Sequence, residues 1–143
     1  MKITSPSFAN NGLIPRKFTC QGEDINPQLE IEGIPEETIS LILVNDDPDC
    51  PGGTWIHWIV FDMPVTSKIK ENTVPGIQGR NDFGRKDYGG PCTPSGTHRY
   101  FFRIYALDTK LNKPTGISVD QLQDAMNDHI LDKAELIGLY KKS

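Results

Sequence analysis

Leu41-Ile42-Leu43-Val44 and Trp55-Ile56-His57-Trp58-Ile59-Val60-Phe61 decide the fold class. Both runs are short, nearly free of polar residues and bounded by Asp, Pro and Gly. That is the pattern of strands covered on both faces rather than of helices. Arg99-Tyr100-Phe101-Phe102-Arg103-Ile104-Tyr105-Ala106-Leu107 is a third strand, rich in aromatic side chains, and Leu29-Glu30-Ile31-Glu32 alternates as a half-exposed one. One segment reads as helix. Ser118-Val119-Asp120-Gln121 has the form of a capping box, with Ser118 as N-cap and Gln121 reaching back. Leu122, Ala125, Met126 and His129 follow on one face, which predicts a helix over about 118–129 with His129 facing the C-terminal dipole. From Ile130 to Tyr140, Leu131, Lys133, Glu135, Ile137 and Leu139 share one parity, and the segment reads as a final strand. Strands first and one late helix predict a mainly β domain with antiparallel sheets.

The composition agrees with a single domain spanning residues 1–143. A chain of this length buries about two-thirds of the surface it exposes when unfolded, so it holds a core without metal or disulfides. Lys and Arg total 15 against 19 Asp and Glu, a formal charge of -4, and no basic block stands out. That excludes nucleic acid and an anionic membrane surface as natural partners. The N-terminus lacks a signal-peptide pattern, and no apolar run is long enough to span a bilayer, so a cytoplasmic protein with no transmembrane segment is expected. Cys20, Cys50 and Cys92 are odd in number and lack CxxC spacing; in a reducing compartment they are expected as free thiols.

Polar residues concentrate in two places. Asp46-Asp47-Pro48-Asp49-Cys50-Pro51 follows directly on a buried strand, and its prolines stiffen the turn. His57 lies inside the next strand, where strict alternation groups it with Trp55, Ile59 and Phe61. A lone histidine in such a strand is more often a satisfied core residue than a ligand. The second place is Gly89-Gly90-Pro91-Cys92-Thr93-Pro94-Ser95-Gly96-Thr97-His98-Arg99-Tyr100. Glycines there let backbone N–H groups approach a ligand, and His98 and Tyr100 share a face while Arg99 points away. Two imidazoles, a phenol and exposed N–H groups suit an oxyanion. Asp47 fits beside an anion if it orients a histidine or is itself protonated.

Other chemistries find less support. Asp46, Asp47, Asp49, His57 and His98 have no metal-ligand spacing, so no metal and no other cofactor are expected. No GxSxG elbow or GxxxxGK[ST] loop occurs. Cys50 and Cys92 read as small, half-buried thiols rather than nucleophiles.

Asp47-Pro48-Asp49-Cys50-Pro51, His57-Trp58, Gly90-Pro91 and Gly96-Thr97-His98-Arg99-Tyr100 resemble the phosphatidylethanolamine-binding protein family, in its short bacterial and archaeal, Raf kinase inhibitor-like branch. Phe18 to Pro27, Asn81-Asp82-Phe83-Gly84 and Ala134-Glu135-Leu136-Ile137-Gly138 extend the likeness over nearly the whole chain. The resemblance implies a large central antiparallel sheet packed with a smaller second sheet, a helix near the C-terminus, and a tendency to homodimerise. It also implies a surface cavity for a small anion, built from Asp47, Asp49, Pro51, His57, Gly90, Pro91, His98 and Tyr100. Cys50 stands where the family commonly has alanine, and Thr93 where proline is frequent. Three functions follow. The first is a non-catalytic receptor for a phosphate monoester or phospholipid headgroup, with a signalling or protease partner to modulate. The second is a protease or kinase inhibitor acting through a surface loop. The third is a hydrolase or lyase on a small phosphorylated compound, which lacks a clear nucleophile–base pair.

Overall fold

Every residue of β4 (Ser40–Asp47) is buried, as expected of an apolar strand with a layer on each face. In the computed structural model, which describes residues 1–142, β4 lies inside a six-stranded sheet. The other strands are β1 (Lys2–Thr4), β2 (Gly12–Leu13), β3 (Leu29–Glu32), β5 (Trp55–Met63), β6 (Lys68–Ile69), β7 (Ile77–Gln78), β8 (Thr97–Leu107) and β9 (Ile130–Lys141). One helix, α1 (Val119–Met126), precedes β9. The large sheet has the order β2-β9-β8-β4-β5-β7, and a smaller one has the order β1-β3-β6. The mainly β architecture with two sheets and a late helix is the one the sequence predicts.

Two cores follow from the alternation of the central strands. Leu41, Leu43, Trp58, Val60 and Phe102 pack on one face against Ile3, Leu29, Ile31 and Ile69 of the small sheet. Ile42, Val44, Ile59 and Phe61 pack on the other against Ile117, Leu122 and Met126. The sheet is therefore held between the small sheet and the helix.

Four details depart from the sequence reading. First, β2 pairs with β9 in parallel, Gly12 opposite Gly138, so the large sheet is not wholly antiparallel. A β-carbon on Gly138 would lie 2.5 Å from the Ile14 side chain, so the glycine gives this edge segment its close approach. Second, the final strand forms as Ile130–Lys141, and its buried residues Leu136, Gly138 and Tyr140 lie on the parity opposite to Leu131, which the sequence reading did not assign to a face. Third, the capping box forms, with Ser118 Oγ accepting from the Gln121 amide at 3.2 Å and Gln121 Oε1 accepting from the Ser118 amide at 3.0 Å. The helix, however, ends at Met126. Asp128 takes a left-handed φ of 68°, and His129 Nδ1 lies 2.8 Å from Asp108 Oδ1 instead of facing the dipole.

The fourth departure matters most for the site. Asn45 pairs with Trp58 but Asp46 pairs with Ile56, so His57 is the extra residue of a β-bulge. A bulge interrupts alternation and re-aims side chains. Ile59 and Phe61 face the helix-side core, whereas His57 and Trp55 line a cavity together with Tyr100.

Candidate functional site

The turn after β4, the bulge in β5 and the start of β8 enclose a cavity of about 380 Å³ at the ends of the central strands. Asp47, Pro51, His57 and Tyr100, four of the residues expected in a pocket, line it; Cys50, Trp55, Phe83, Cys92 and Thr93 complete much of the wall. No Lys or Arg side chain is on that wall. A second, larger cleft lies between the sheet and α1; of its charged residues Asp46, Asp82, Arg103 and Asp120, Asp46 and Arg103 are paired at 2.7 Å, leaving the lining acidic.

Asp47 is 1 % exposed and accepts three hydrogen bonds. Its Oδ1 takes the Asp49 amide at 2.8 Å; its Oδ2 takes the Cys50 thiol at 3.2 Å and meets His98 Nδ1 at 2.6 Å. His98 lies behind the wall. Thr93 Oγ1 donates to the Ser95 carbonyl at 2.9 Å, so it accepts from His98 Nε2, 3.0 Å away. The Cys50 thiol is pushed up to about 12, first by burial and then by Asp47.

His57 donates from Nδ1 to the Gly89 carbonyl at 2.7 Å, because a carbonyl only accepts. Nε2 is then the acceptor nitrogen of the neutral ring, and burial pulls the pKa of His57 below its ordinary 6.5. The ring stands edge-on between Phe83 and Tyr100, both at 5.3 Å between centroids. Tyr100 is fully buried, and burial raises its pKa above the ordinary value. Among the described residues its hydroxyl has no hydrogen-bond partner. A buried polar group without a partner costs about 1–3 kcal/mol, which calls for an explanation.

Four of the residues expected in the pocket are not on its wall. Asp49 turns outward and clasps Arg99, with Nε at 2.9 Å and Nη2 at 2.8 Å; the guanidinium holds its carboxyl at about 2. The Gly90 amide donates to Asp24 Oδ1 at 2.8 Å, and the Pro91 carbonyl accepts from the Cys20 amide at 3.1 Å. The Gly90 amide and the Pro91 carbonyl are thus engaged within the protein, and His98 meets the wall through Asp47.

The cysteine expectation is corrected here. Cys20 and Cys92 form a disulfide with Cα atoms 5.4 Å apart, and Cys50 alone stays a thiol. Their separation of 72 residues hides the pairing from local spacing. Folding brings the two loops together through Tyr88 Oη on the Phe18 carbonyl at 2.7 Å as well as the Gly90 and Cys20 amides.

Phe83 and Trp55 are wall residues that residue chemistry did not single out. Asn81 holds the Phe83 turn, taking the Phe83 and Arg85 amides on Oδ1 at 3.0 Å each and donating from Nδ2 to the His57 carbonyl at 3.1 Å. The motif containing Asn81 and Phe83 was visible in the sequence, but not its contact with His57. Of the five residues weighed as metal ligands, only Asp47 and His98 come together, and Cys50 joins them.

Residues 4–141 match the sequence profile described as phosphatidylethanolamine-binding protein. A UPF0098 protein of Methanothermobacter thermautotrophicus is 45% identical over 99% of each chain. One from Aquifex aeolicus is 47% identical over 99% of this chain and 89% of its own. Among solved structures, a phosphatidylethanolamine-binding protein homologue from Chlamydia trachomatis, CT736, superposes with a TM-score of 0.96 at 41% identity, covering 99% of this chain and 97% of its own. Escherichia coli YbcL, described as a member of the mammalian family, gives 0.91 at 28% identity over 99% and 98%.

Proposed function

The chain belongs to the phosphatidylethanolamine-binding protein family, and from that premise we propose that it is a non-catalytic receptor for a small oxyanion, a phosphate monoester or a phospholipid headgroup. The observation that carries the reading is the Tyr100 hydroxyl, buried at the cavity without a protein partner. A phosphoryl oxygen satisfies that donor once a small shift of the Tyr100 ring opens the hydroxyl to the cavity. His57 Nε2, the acceptor in the neutral ring, takes a ligand hydroxyl, so the form received is the phosphate monoanion. The absence of Lys and Arg from the wall also favours one negative charge over two. Cys50 is held protonated on Asp47, which supports reception over nucleophilic turnover.

Calorimetric titration with phosphate, phosphoethanolamine and acetate tests the reading. Phosphate and its ester are expected to bind the native protein and to bind Tyr100→Phe more weakly. No binding, or unchanged affinity in that variant, overturns it. Modulation of a protease or kinase partner belongs to the same proposal and is read by inhibition assays on a pocket variant. In a reducing cytoplasm Cys20–Cys92 is expected to open, and in an oxidising compartment to persist, which thiol labelling after acid quenching of cells distinguishes.

A further inference from the structure

Asp47 Oδ2 is the meeting point of three different donor atoms. Cys50 Sγ lies 3.2 Å from it and His98 Nδ1 2.6 Å, and all three atoms fall within 4.8 Å of one another. We infer that Asp47, Cys50 and His98 form a site for a zinc-like divalent cation on the cavity wall, with its fourth position open to the cavity.

The spacing fits. Zinc bonds of about 2.0–2.3 Å in a tetrahedron set neighbouring ligand atoms roughly 3.3–3.7 Å apart. The Asp47–Cys50 pair is already near that range, and His98 Nδ1 has to withdraw from Oδ2 by about 0.7 Å, to the lower end of that range. The hydrogens balance as well. One lies between Nδ1 and Oδ2 and one between Sγ and Oδ2; a cation of charge +2 replaces both, and the net charge of the cluster is unchanged. The supporting contacts leave the correct atoms free. Asp47 Oδ1 is taken by the Asp49 amide, so Oδ2 faces the cation. His98 Nε2–H is fixed on Thr93 Oγ1, itself fixed on the Ser95 carbonyl, the arrangement that orients a histidine bound through Nδ1.

A mixed nitrogen, sulfur and oxygen set selects zinc and its neighbours over magnesium or calcium, which require oxygen ligands. Asp47 and His98 are almost fully buried, whereas His129 and Asp108 form an exposed pair offering only two ligands. The spacing of Asp46, Asp47, Asp49, His57 and His98 predicts no metal; of these, Asp46, Asp49 and His57 bond elsewhere, and Cys50 is not among them. Because Asp47 and Cys50 line the cavity, a bound cation presents its open coordination position to that space. This site stands independently of the anion reading.

Cobalt(II) is the probe, added to the protein with its Cys20–Cys92 bond intact and no thiol reductant or phosphate present. One equivalent is expected to give the near-ultraviolet charge-transfer band of a cobalt–thiolate bond, displaced by zinc. The band is expected to vanish in Cys50→Ser, to need at least tenfold more cobalt in Asp47→Asn, and to be unchanged in His129→Ala. Circular dichroism identifies which variants are folded, and Cys50→Ser, the most conservative, carries the test if Asp47→Asn is not. No thiolate band in the native protein, or the same band in Cys50→Ser, overturns the site. Either outcome leaves phosphate binding, measured without metal, untouched.

Discussion

His98 reaches Asp47 from behind the cavity wall: its Nδ1 lies 2.6 Å from Asp47 Oδ2, while Asp47, not His98, lines the cavity. The imidazole therefore reaches the cavity wall only through the carboxylate it holds. His57 and Tyr100, which do line the cavity, come from different strands and meet edge to face.

Tyr100→Phe separates recognition from folding. Its hydroxyl is buried without a partner, so removal leaves stability unchanged or raises it by up to about 1 kcal/mol. Phosphate affinity falls by roughly tenfold, the worth of one hydrogen bond to a charged group. Urea unfolding and calorimetry on the same preparation read both quantities.

His57 gives stability an acid limb. Burial lowers its folded pKa below 6.5, so the unfolded chain binds more protons as pH falls past that value. This contribution is complete above about pH 6.5 and is lost as pH falls through the lower, folded pKa. In His57→Asn, whose amide replaces the Nδ1–H donor, the difference in unfolding free energy between pH 7.5 and pH 5 is expected to shrink. An unchanged difference contradicts the assignment.

Replacing both Cys20 and Cys92 by serine removes a cross-link between residues 72 apart. The expected cost is roughly 2–5 kcal/mol in chemical denaturation. Reduction of the native protein should reproduce that loss and add nothing to the double variant.

Gly90→Ala is expected to fail through packing. The new β-carbon would sit 2.2 Å from the Phe18 carbonyl oxygen and 2.5 Å from Asp24 Oδ1. Neither backbone nor a hydrogen-bonded carboxylate gives way easily, so a destabilisation of roughly 1–3 kcal/mol follows. Asp24→Ala, which removes the Gly90 amide's acceptor without adding a clash, should be milder by the same urea assay.

The long strands were legible because buried strands write unbroken apolar runs, as in Leu41 to Val44, and α1 was legible through Ser118 and Gln121. β2, β6 and β7 have two residues each and carry no period to read. The bulge at His57 is decided by which residue of β4 stands opposite, a fact outside the local sequence. Of the residues expected in the pocket, Asp47, Pro51, His57 and Tyr100 line the cavity, while Asp49, Gly90, Pro91 and His98 are not on its wall. Their chemistry was visible; the direction of their side chains was not.

The Cys20–Cys92 bond has a topological consequence. It turns everything between those residues into a covalent ring that contains β3 to β7, and so the central β4 and its partner β5. Pro51, Gly52 and Gly53 are exposed on that ring. A protease nick there yields two fragments that migrate as one species until a reductant is added, and the cut halves remain tethered close enough to re-form the sheet.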